Sequence, residues 1–471
     1  MLRTLAIPLL LLAACKVDPL YCDENTRCTD PDRPFCDLNG DYPASDGVAR
    51  TCIPDPNPGN EPDAGDTAGS DGNEPDAGQD PIACAEPGDA LECDGDTLVS
   101  CSDAGTEQRV ECPLGCSSEE LRCLDLRPSN DVAPYLDQSA AADALVLTGV
   151  AEFNTDSGNL VDGDETTILA RSVLVEAPSN GVPIRVLIAS RVEIESLDVD
   201  GSAALAIAAD GDVLIRGRLS VAGDDRVPGP GSFGDPSSCR GQRGTIGEAN
   251  GRFHAGGNGG GGYRTKGAPG GTVEDEVAQN GAGGSPFFNS LLVPLRGGCP
   301  GGGSTNGGGA VQIVSRTRID IAQDALINAN GGGGVEPTPG PQFPDPGGGG
   351  GAGGAILLEA PEVTVAGGLF SNGGGGSAAC GTGENGRESL DPALGKQCPG
   401  SDSGDGGSGG SALDGPTDGE PIAATSSFDN AGGSGGGAAG FIRINSRTGT
   451  FVPSPTALIS PEPDVGTAAT R

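Results

Sequence analysis

Short runs of alternating apolar residues recur at nearly constant spacing in the middle of the chain. Alternation places one set of side chains in the interior and the other set in solvent. The pairs, each written with its next copy, are Val192/Ile194 with Val213/Ile215, Leu197/Val199 with Leu219/Val221, and Val186/Ile188 with Leu205/Ile207. Their offsets of 21, 22 and 19 residues indicate stacked coils of three short strands each.

The same triple of runs returns three times after glycine tracts, starting at Val311/Ile313, at Ile356/Leu358 and, in degenerate form, at Ile442/Ile444. We therefore expect Ile313 and Leu358 to point inward, and Gln312 to face solvent. The pattern resembles the right-handed parallel β-helix of pectin-lyase-like enzymes and secreted bacterial adhesins, and covers roughly 145–223, 309–330, 354–372 and 439–460. The resemblance implies a mostly β solenoid over residues 135–471. A β-sandwich of similar short strands is the alternative.

Long insertions separate these copies at about 224–308, 331–353 and 373–438, and they hold much of the chain's 84 glycines. Glycine-rich chain usually behaves as flexible coil. Tracts of bare backbone can also pack side by side as polyproline-II-like strands, because no side chain holds them apart. Pairing of Cys239 with Cys299, and of Cys380 with Cys398, would close loops of about 60 and 20 residues. Such bridges favour partial order in the insertions.

The N-terminal residues predict where the protein is located. A basic Arg3 and a short apolar run lead to Leu12-Ala13-Ala14-Cys15, which resembles the lipobox of bacterial lipoprotein signal peptides. The resemblance implies that residues 1–14 are removed and that Cys15 is acylated (palmitate among the chains). Residues 4–14 are too few to cross a ~30 Å hydrocarbon core. Lys16 follows instead of the Asp of inner-membrane retention, so the resemblance favours the outer membrane or cell surface; an ordinary secretory signal is the alternative.

Fourteen further cysteines divide into three groups, and export to an oxidising compartment predicts seven disulfides formed within the groups. Residues 15–52 form a lipid-anchored, Cys-rich unit, 53–83 an acidic, disordered Pro/Gly linker, and 84–125 a six-Cys unit that we predict to be a β-meander. The six-Cys spacing loosely resembles extracellular chitin-binding knots, but the unit lacks their aromatic residues. The candidate disulfide cysteines are Cys22, Cys28, Cys36, Cys52, Cys84, Cys93, Cys101, Cys112, Cys116, Cys123, Cys239, Cys299, Cys380 and Cys398.

The formal charge of −39 argues against nucleic acid and anionic lipid headgroups as partners. The expected partners are the membrane, through the lipid anchor, and extracellular polysaccharide or other envelope proteins. Zinc is disfavoured because His254 is the single histidine and Cys-x-x-Cys is absent.

No catalytic constellation has its required context. Gly-x-Ser-x-Gly at 406–410 and 432–436 lies among glycines, without the strand, helix and histidine of a nucleophile elbow. Two carboxylate pairs, which stacked coils could bring to one edge, are weak calcium candidates: Asp198, Asp200, Asp210 and Asp212. We therefore expect no catalytic residue, no metal-binding residue and no cofactor, and weak calcium binding is the alternative left open. The predicted function is a structural or adhesive, non-catalytic surface lipoprotein; the alternative is a polysaccharide-binding or polysaccharide-degrading β-helix.

Overall fold

The computed structural model describes residues 35–37, 51–53, 90–176, 181–232, 239, 244–247, 249–250, 254–273, 280–287, 289–303, 305–336, 346–399, 403–422 and 430–471. The chain divides into two compact units, 1–80 and 81–471. In the first unit, β1 (Phe35–Asp37) pairs antiparallel with β2 (Thr51–Ile53), and Cys36 lies opposite Cys52. The signal peptide, the linker after Ile53, and the cysteines at 15, 22, 28 and 84 fall outside the described residues.

The six-Cys unit is a β-meander, as predicted. Strands β3 (Ala90–Asp94), β4 (Thr97–Cys101) and β5 (Glu107–Glu111) pair antiparallel, and β6 (Cys116–Ser117) pairs with β7 (Arg122–Cys123). Disulfides join Cys93 to Cys116 and Cys112 to Cys123, and Cys101 is also disulfide-bonded. These bridges supply the stability that so short a segment cannot obtain from apolar burial.

The six-Cys unit does not stand apart from the rest of the second unit. Its last residues pair with the C-terminus: Leu126 forms a β-bridge with Thr470, and the backbone of Asp125 exchanges two hydrogen bonds with Arg471. Both segments belong to the same compact unit. The pairing joins residues more than 300 positions apart, so no local sequence pattern could reveal it.

Within the described ranges, the remainder of the second unit contains one short helix and twenty strands. They are α1 (Ala133–Ser139), β8 (Leu145–Asn154), β9 (Leu160–Asp162), β10 (Thr167–Ile168), β11 (Arg171–Val175), β12 (Ile184–Ala189), β13 (Val192–Asp200), β14 (Ala204–Ala209), β15 (Val213–Ser220), β16 (Ala249–Asn250), β17 (His254–Ala255), β18 (Ala310–Ser315), β19 (Arg318–Ile321), β20 (Leu326–Asn328), β21 (Ala355–Glu359), β22 (Glu362–Val365), β23 (Gly368–Phe370), β24 (Asn430–Ala431), β25 (Phe441–Ser446), β26 (Leu458–Ser460) and β27 (Asp464–Thr467). None of the helices in the described ranges is long and apolar enough to cross a bilayer.

Most of these strands belong to two large sheets, so the fold is mostly β. A seven-stranded sheet has the order β11-β12-β14-β18-β21-β25-β27. A ten-stranded sheet has the order β10-β9-β8-β13-β15-β20-β23-β26, with β19 and β22 alongside. From β12 onward the strands of these two sheets pair parallel with their copies in adjacent repeats. In the described residues the strands form two separate sheets and not one closed solenoid.

One apolar core lies between the two sheets. The seven-stranded sheet contributes Ile207, Ile313, Leu358 and Ile444, while the ten-stranded sheet contributes ladders that include Ile194 and Ile215. Ile313 and Leu358 are both fully buried there, which confirms their predicted inward direction. The observed register Val192↔Val213 and Leu197↔Leu219 also confirms two of the three predicted repeats.

The third predicted repeat is wrong by one residue. Val186 pairs with Ala206, not with Leu205, and Leu187 pairs with Ile207. Val186 and Ile188 therefore lie on the outer face of the seven-stranded sheet. That sheet is buried on both faces, and a strand buried on both faces is apolar throughout, so alternation does not reveal its register.

The outer face of the seven-stranded sheet is covered by α1, the segment before it and residues near Leu292. The expectation that Gln312 faces solvent is therefore wrong: it is fully buried. Its Nε2 donates to Glu359 Oε2 at 2.6 Å and to the carbonyl of Ser129 at 3.1 Å. Ser129 and Asn445 also donate to Glu359. This polar network fastens the covering segment to the sheet.

The described glycine tracts are ordered and buried. Their backbone hydrogen bonds go to neighbouring tracts and repeat every third residue: Gly350 and Gly353 donate to Gly435 and Ala438. A period of three is the turn of the polyproline-II helix, which has no internal hydrogen bonds. The tract 431–440 bonds to six neighbours, at residues 258–261, 268–271, 350–353, 371–377, 404–410 and 417–420.

Close approach, not special dihedral angles, requires glycine in this bundle. A Cβ on Gly433 would lie 1.8 Å from the Asp405 carbonyl oxygen, and one on Gly260 would lie 1.9 Å from that of Gly436. Disulfides Cys239–Cys299 and Cys380–Cys398 close the first and third insertions, as the sequence suggested. The described glycine tracts of the insertions thus pack as a bundle of polyproline-II-like segments, which is the second of the two arrangements that the sequence allowed.

Candidate functional site

The four candidate carboxylates do not meet at one edge. Asp198 and Asp200 lie at the end of β13, whereas Asp210 and Asp212 precede β15. Asp198 is in register with Ser220, the last residue of β15. The eight residues of β15 therefore separate the two pairs by about 25 Å. A shared acid/base or calcium site built from both pairs is excluded.

Asp210 belongs to an ion-pair network around Arg316. The guanidinium contacts Asp210 at 2.9 Å, Asp125 at 2.8 Å and Asp137 at 2.7 Å, and Arg471 also pairs with Asp125 and Asp137. Partial burial tends to raise the pKa of Asp125, but hydrogen bonds from Arg316 and Arg471 outweigh it and lower that pKa from 3.8 to about 2. The same carboxylates raise the pKa of Arg316. The network ties α1 and the C-terminus to the sheet.

Asp212 has an equally structural environment. Its carboxylate accepts from Arg318 Nε at 2.9 Å and from Thr317 Oγ1 at 2.7 Å. Both partners follow β18 in the next repeat, so the contact stacks one turn on the next. Because Asp210 and Asp212 are each already paired with an arginine, neither presents a free charge for catalysis or calcium.

The other pair borders a cleft of about 590 Å³, which we call the β13–β15 cleft. Its floor holds Arg218, whose guanidinium binds Asp198 on one side and Glu388 on the other, the latter at 3.0 Å. Asn328 donates to the same Glu388 oxygen at 2.7 Å. The cleft is lined by Asp198, Val199, Asp200, Arg218, Ser220, Ala222, Gly223, Asp224, Val227, Asn328, Asn330, Asn385, Gly386, Arg387 and Glu388.

One wall of the cleft is the segment 385–388 from the third insertion. Asn330 Nδ2 donates to the Gly386 carbonyl at 3.0 Å, and Gly386 N–H donates to Gly331. Asn372 Nδ2 donates to the carbonyl of Arg387 at 2.7 Å. Asn330 and Asn372 are almost fully buried and each begins a glycine tract. The segment is therefore held rigidly, and the Cys380–Cys398 bridge closes the loop that contains it.

Sequence reasoning found Asp198 and Asp200 but missed the other polar groups of the cleft. Arg218, Asn328 and Glu388 come from segments up to 170 residues apart, and only the stacking of repeats brings them together. A weak signal existed: the Asn-Gly steps at 330–331 and 372–373 mark where each strand passes into a glycine tract.

Two other motifs contain Ser434, which lies in the glycine bundle, and His254, which lies in a three-stranded sheet. Ser434, in the second Gly-x-Ser-x-Gly match, is buried in the glycine bundle and donates to the carbonyls of Pro346 and Gly347 at 3.2 Å. His254 lies in β17, which pairs with β16 and β24. Within the described ranges, no group of three or more His, Cys, Asp or Glu side chains is placed to hold a metal ion.

The cleft is chemically suited to hydrogen bonding, not to apolar burial. Its lining offers carboxylates, guanidinium groups, amides and a hydroxyl, and none of its residues is aromatic. No known protein family, no curated protein and no solved structure matches this chain.

Proposed function

We propose that this protein is a lipid-anchored component of the outer membrane or cell surface with a structural or adhesive, non-catalytic role. The observation that carries the proposal is the glycine bundle. Its tracts are bonded backbone to backbone in all directions, an arrangement that gives rigidity without a large aromatic core. A rigid bundle of this kind, with disulfides in two of the three insertions, is suited to present a fixed binding surface outside the cell.

The bundle would be mounted on a right-handed parallel β-helix. Support comes from the strand order, because β12 to β15 alternate between the two sheets and pair parallel with their next copies. Parallel strands joined by a crossover are almost always connected in the right-handed sense. The shared apolar core between the sheets is the interior that such coils would enclose.

Acylation of Cys15 is the proposed means of attachment, and the acidic linker would lift the second unit from the membrane. The Cys15→Ser variant should lose labelling by a fatty-acid probe and leave the membrane fraction, or remain uncleaved. A matched control is Cys380→Ser, which also removes one thiol but leaves the lipobox intact and should keep the label. Unchanged membrane partition of a processed Cys15→Ser protein would refute the anchor.

The role itself is tested on cells. Cells that carry the protein should attach to a host or matrix surface, or keep envelope integrity under detergent, better than cells from which it is deleted. Equal attachment and equal detergent resistance would contradict both the adhesive and the structural role.

A polysaccharide-binding role is the second candidate, and the β13–β15 cleft is the observation that favours it. A degrading enzyme is less well supported, because three of the four candidate carboxylates are engaged with arginines. The proposal therefore includes no cofactor, calcium included. Release of soluble oligosaccharide from a polysaccharide by the wild-type protein, but not by Asp200→Asn, would instead establish the enzymatic alternative.

A further inference from the structure

The β13–β15 cleft has the volume of a ligand site but not the surface of an ordinary one. Its 590 Å³ lies within the range of about 300–1,000 Å³ typical of small-molecule sites. Such sites are usually lined by apolar and aromatic side chains, whereas the apolar side chains here are only Val199, Ala222 and Val227. An apolar ligand would therefore bury little matching surface.

The floor of the cleft is also unsuited to a purely anionic or purely cationic ligand. Arg218 lies between Asp198 and Glu388 and pairs with both. An anion would have to displace carboxylates from Arg218, and a metal ion would have to displace Arg218 from the carboxylates. A hydroxyl group both donates and accepts hydrogen bonds, so it can bond to the spare oxygens and N–H groups while the ion pairs stay intact.

The net charge of the lining residues distinguishes between neutral and anionic sugars as ligands. The lining contains four carboxylates, Asp198, Asp200, Asp224 and Glu388, against two guanidinium groups, Arg218 and Arg387. Four negative and two positive charges leave a net charge of −2, within a chain of net charge −39. A surface of that sign repels polyanions.

We propose that the β13–β15 cleft binds a neutral, polyhydroxylated saccharide; this inference rests on the adhesive function proposed above and names its ligand class. The buried Asn328 and Asn330 fix the wall segment 385–388 in advance. A site held in its binding geometry loses little conformational entropy when the ligand binds.

The test uses the full-length lipoprotein in detergent micelles. Neutral oligosaccharides (cello-, xylo- and mannohexaose) and two polyanions (polygalacturonate and heparin) are titrated by calorimetry. We expect at least one neutral hexasaccharide to bind and neither polyanion to bind. Binding of polyanions alone, or of none of the five probes, would overturn the proposal.

Variants locate the site. Arg218→Gln should weaken binding about ten- to hundredfold, because it removes charge-assisted hydrogen bonds. Arg216→Gln is the matched control: Arg216 lies on the same strand and pairs with Glu193, but it does not line the cleft, so affinity should stay unchanged. Asp200→Asn, at an exposed wall position, should weaken binding about two- to tenfold without affecting folding. Equal effects of the Arg216 and Arg218 variants, or no effect of Asp200→Asn, would place the binding elsewhere.

Cell attachment separates this inference from the function on which it rests. If cells with the wild-type protein attach and Arg218→Gln cells attach equally well, the cleft is not the adhesive site, although the adhesive function stands. If wild-type cells attach no better than deleted cells, the adhesive function itself fails.

Discussion

Adding a single methyl group to the centre of the glycine bundle should destabilise the second unit measurably. In Gly436→Ala, the new Cβ would lie 1.8 Å from the Ser408 carbonyl oxygen. Real Cβ atoms approach such oxygens to about 3.2–3.4 Å, so the tracts 404–410 and 431–440 must separate by about 1.5 Å, more than close packing tolerates. No side chain is available to rotate away, because the obstructing atom belongs to the backbone.

The magnitude follows from what that separation breaks. Gly407 and Gly410 donate to the carbonyls of Ser434 and Gly437, both at 2.8 Å. Two such bonds contribute about 1 kcal/mol each, and overpacking adds about 1 kcal/mol or more, so we expect a loss of about 3 kcal/mol. For a unit spanning residues 81–471, an unfolding entropy of about 0.8 kcal/mol per degree converts this loss to a melting temperature about 4 °C lower.

The matched control is Gly415→Ala, because a Cβ at Gly415 meets nothing within 4 Å. It should leave the melting temperature unchanged, or raise it slightly by restricting the unfolded chain. Calorimetry gives the melting temperatures, and hydrogen exchange at Gly407 and Gly410 should accelerate only in Gly436→Ala. If both variants melt alike and protect these amides alike, the close packing of the tracts is refuted.

Two further predictions test the core and the Arg316 network. Ile313→Asp and Gln312→Asp should each lower the free energy of unfolding in urea by several kcal/mol, the first by burying an unpaired charge and the second by placing a carboxylate beside Glu359. Thr364→Asn, at an exposed position, is the control and should lower it little. A small loss for Gln312→Asp would contradict the covered outer face. Because the folded pKa of Asp125 is about 2 and its ordinary value is 3.8, its stabilisation is complete above pH 3.8 and is lost as the pH falls through 2. The free energy of unfolding should therefore decline across that window by more in the wild type than in Asp125→Asn, and the difference should be on the order of 1 kcal/mol after screening by solvent. Parallel declines would show that the carboxylate is not stabilised by its arginines.

The sequence predicted the ladders of the ten-stranded sheet more reliably than those of the seven-stranded one. The outer face of the ten-stranded sheet carries charged residues such as Glu193 and Arg216, so alternation identifies the inner set without ambiguity. In β12 and β14 all six residues are buried. Alternation carries no information there, which is why Val186 was assigned to the wrong face.

The cover on that outer face was also beyond sequence reasoning. Ser129 reaches Glu359 and Gln312 across about 180–230 residues of chain, and nothing near Gln312 in the sequence marks it as buried. The disulfides of the insertions were predictable because the relevant cysteines occur two at a time. Only part of the cleft was predictable from the sequence. Asp198 and Asp200 lie at the end of a strand that the sequence predicts, whereas Glu388 comes from a distant insertion.

Glycine content and charge have linked consequences in this chain. A bundle of bare backbone segments can satisfy its own hydrogen bonds, but it offers no side chains with which to recognise a partner. We therefore expect a partner to be recognised where the glycine insertions meet the sheets, because residues with side chains follow the glycine tracts there. The β13–β15 cleft lies at such a junction: its floor comes from β13 and β15, and one wall, at 385–388, comes from the third insertion. Because the bundle fixes that wall, Gly436→Ala should leave the fold of the sheets intact yet loosen the segment that carries Glu388. If sugar binding weakens in that variant while the sheet amides keep their protection from hydrogen exchange, the bundle supports the site and not only the fold.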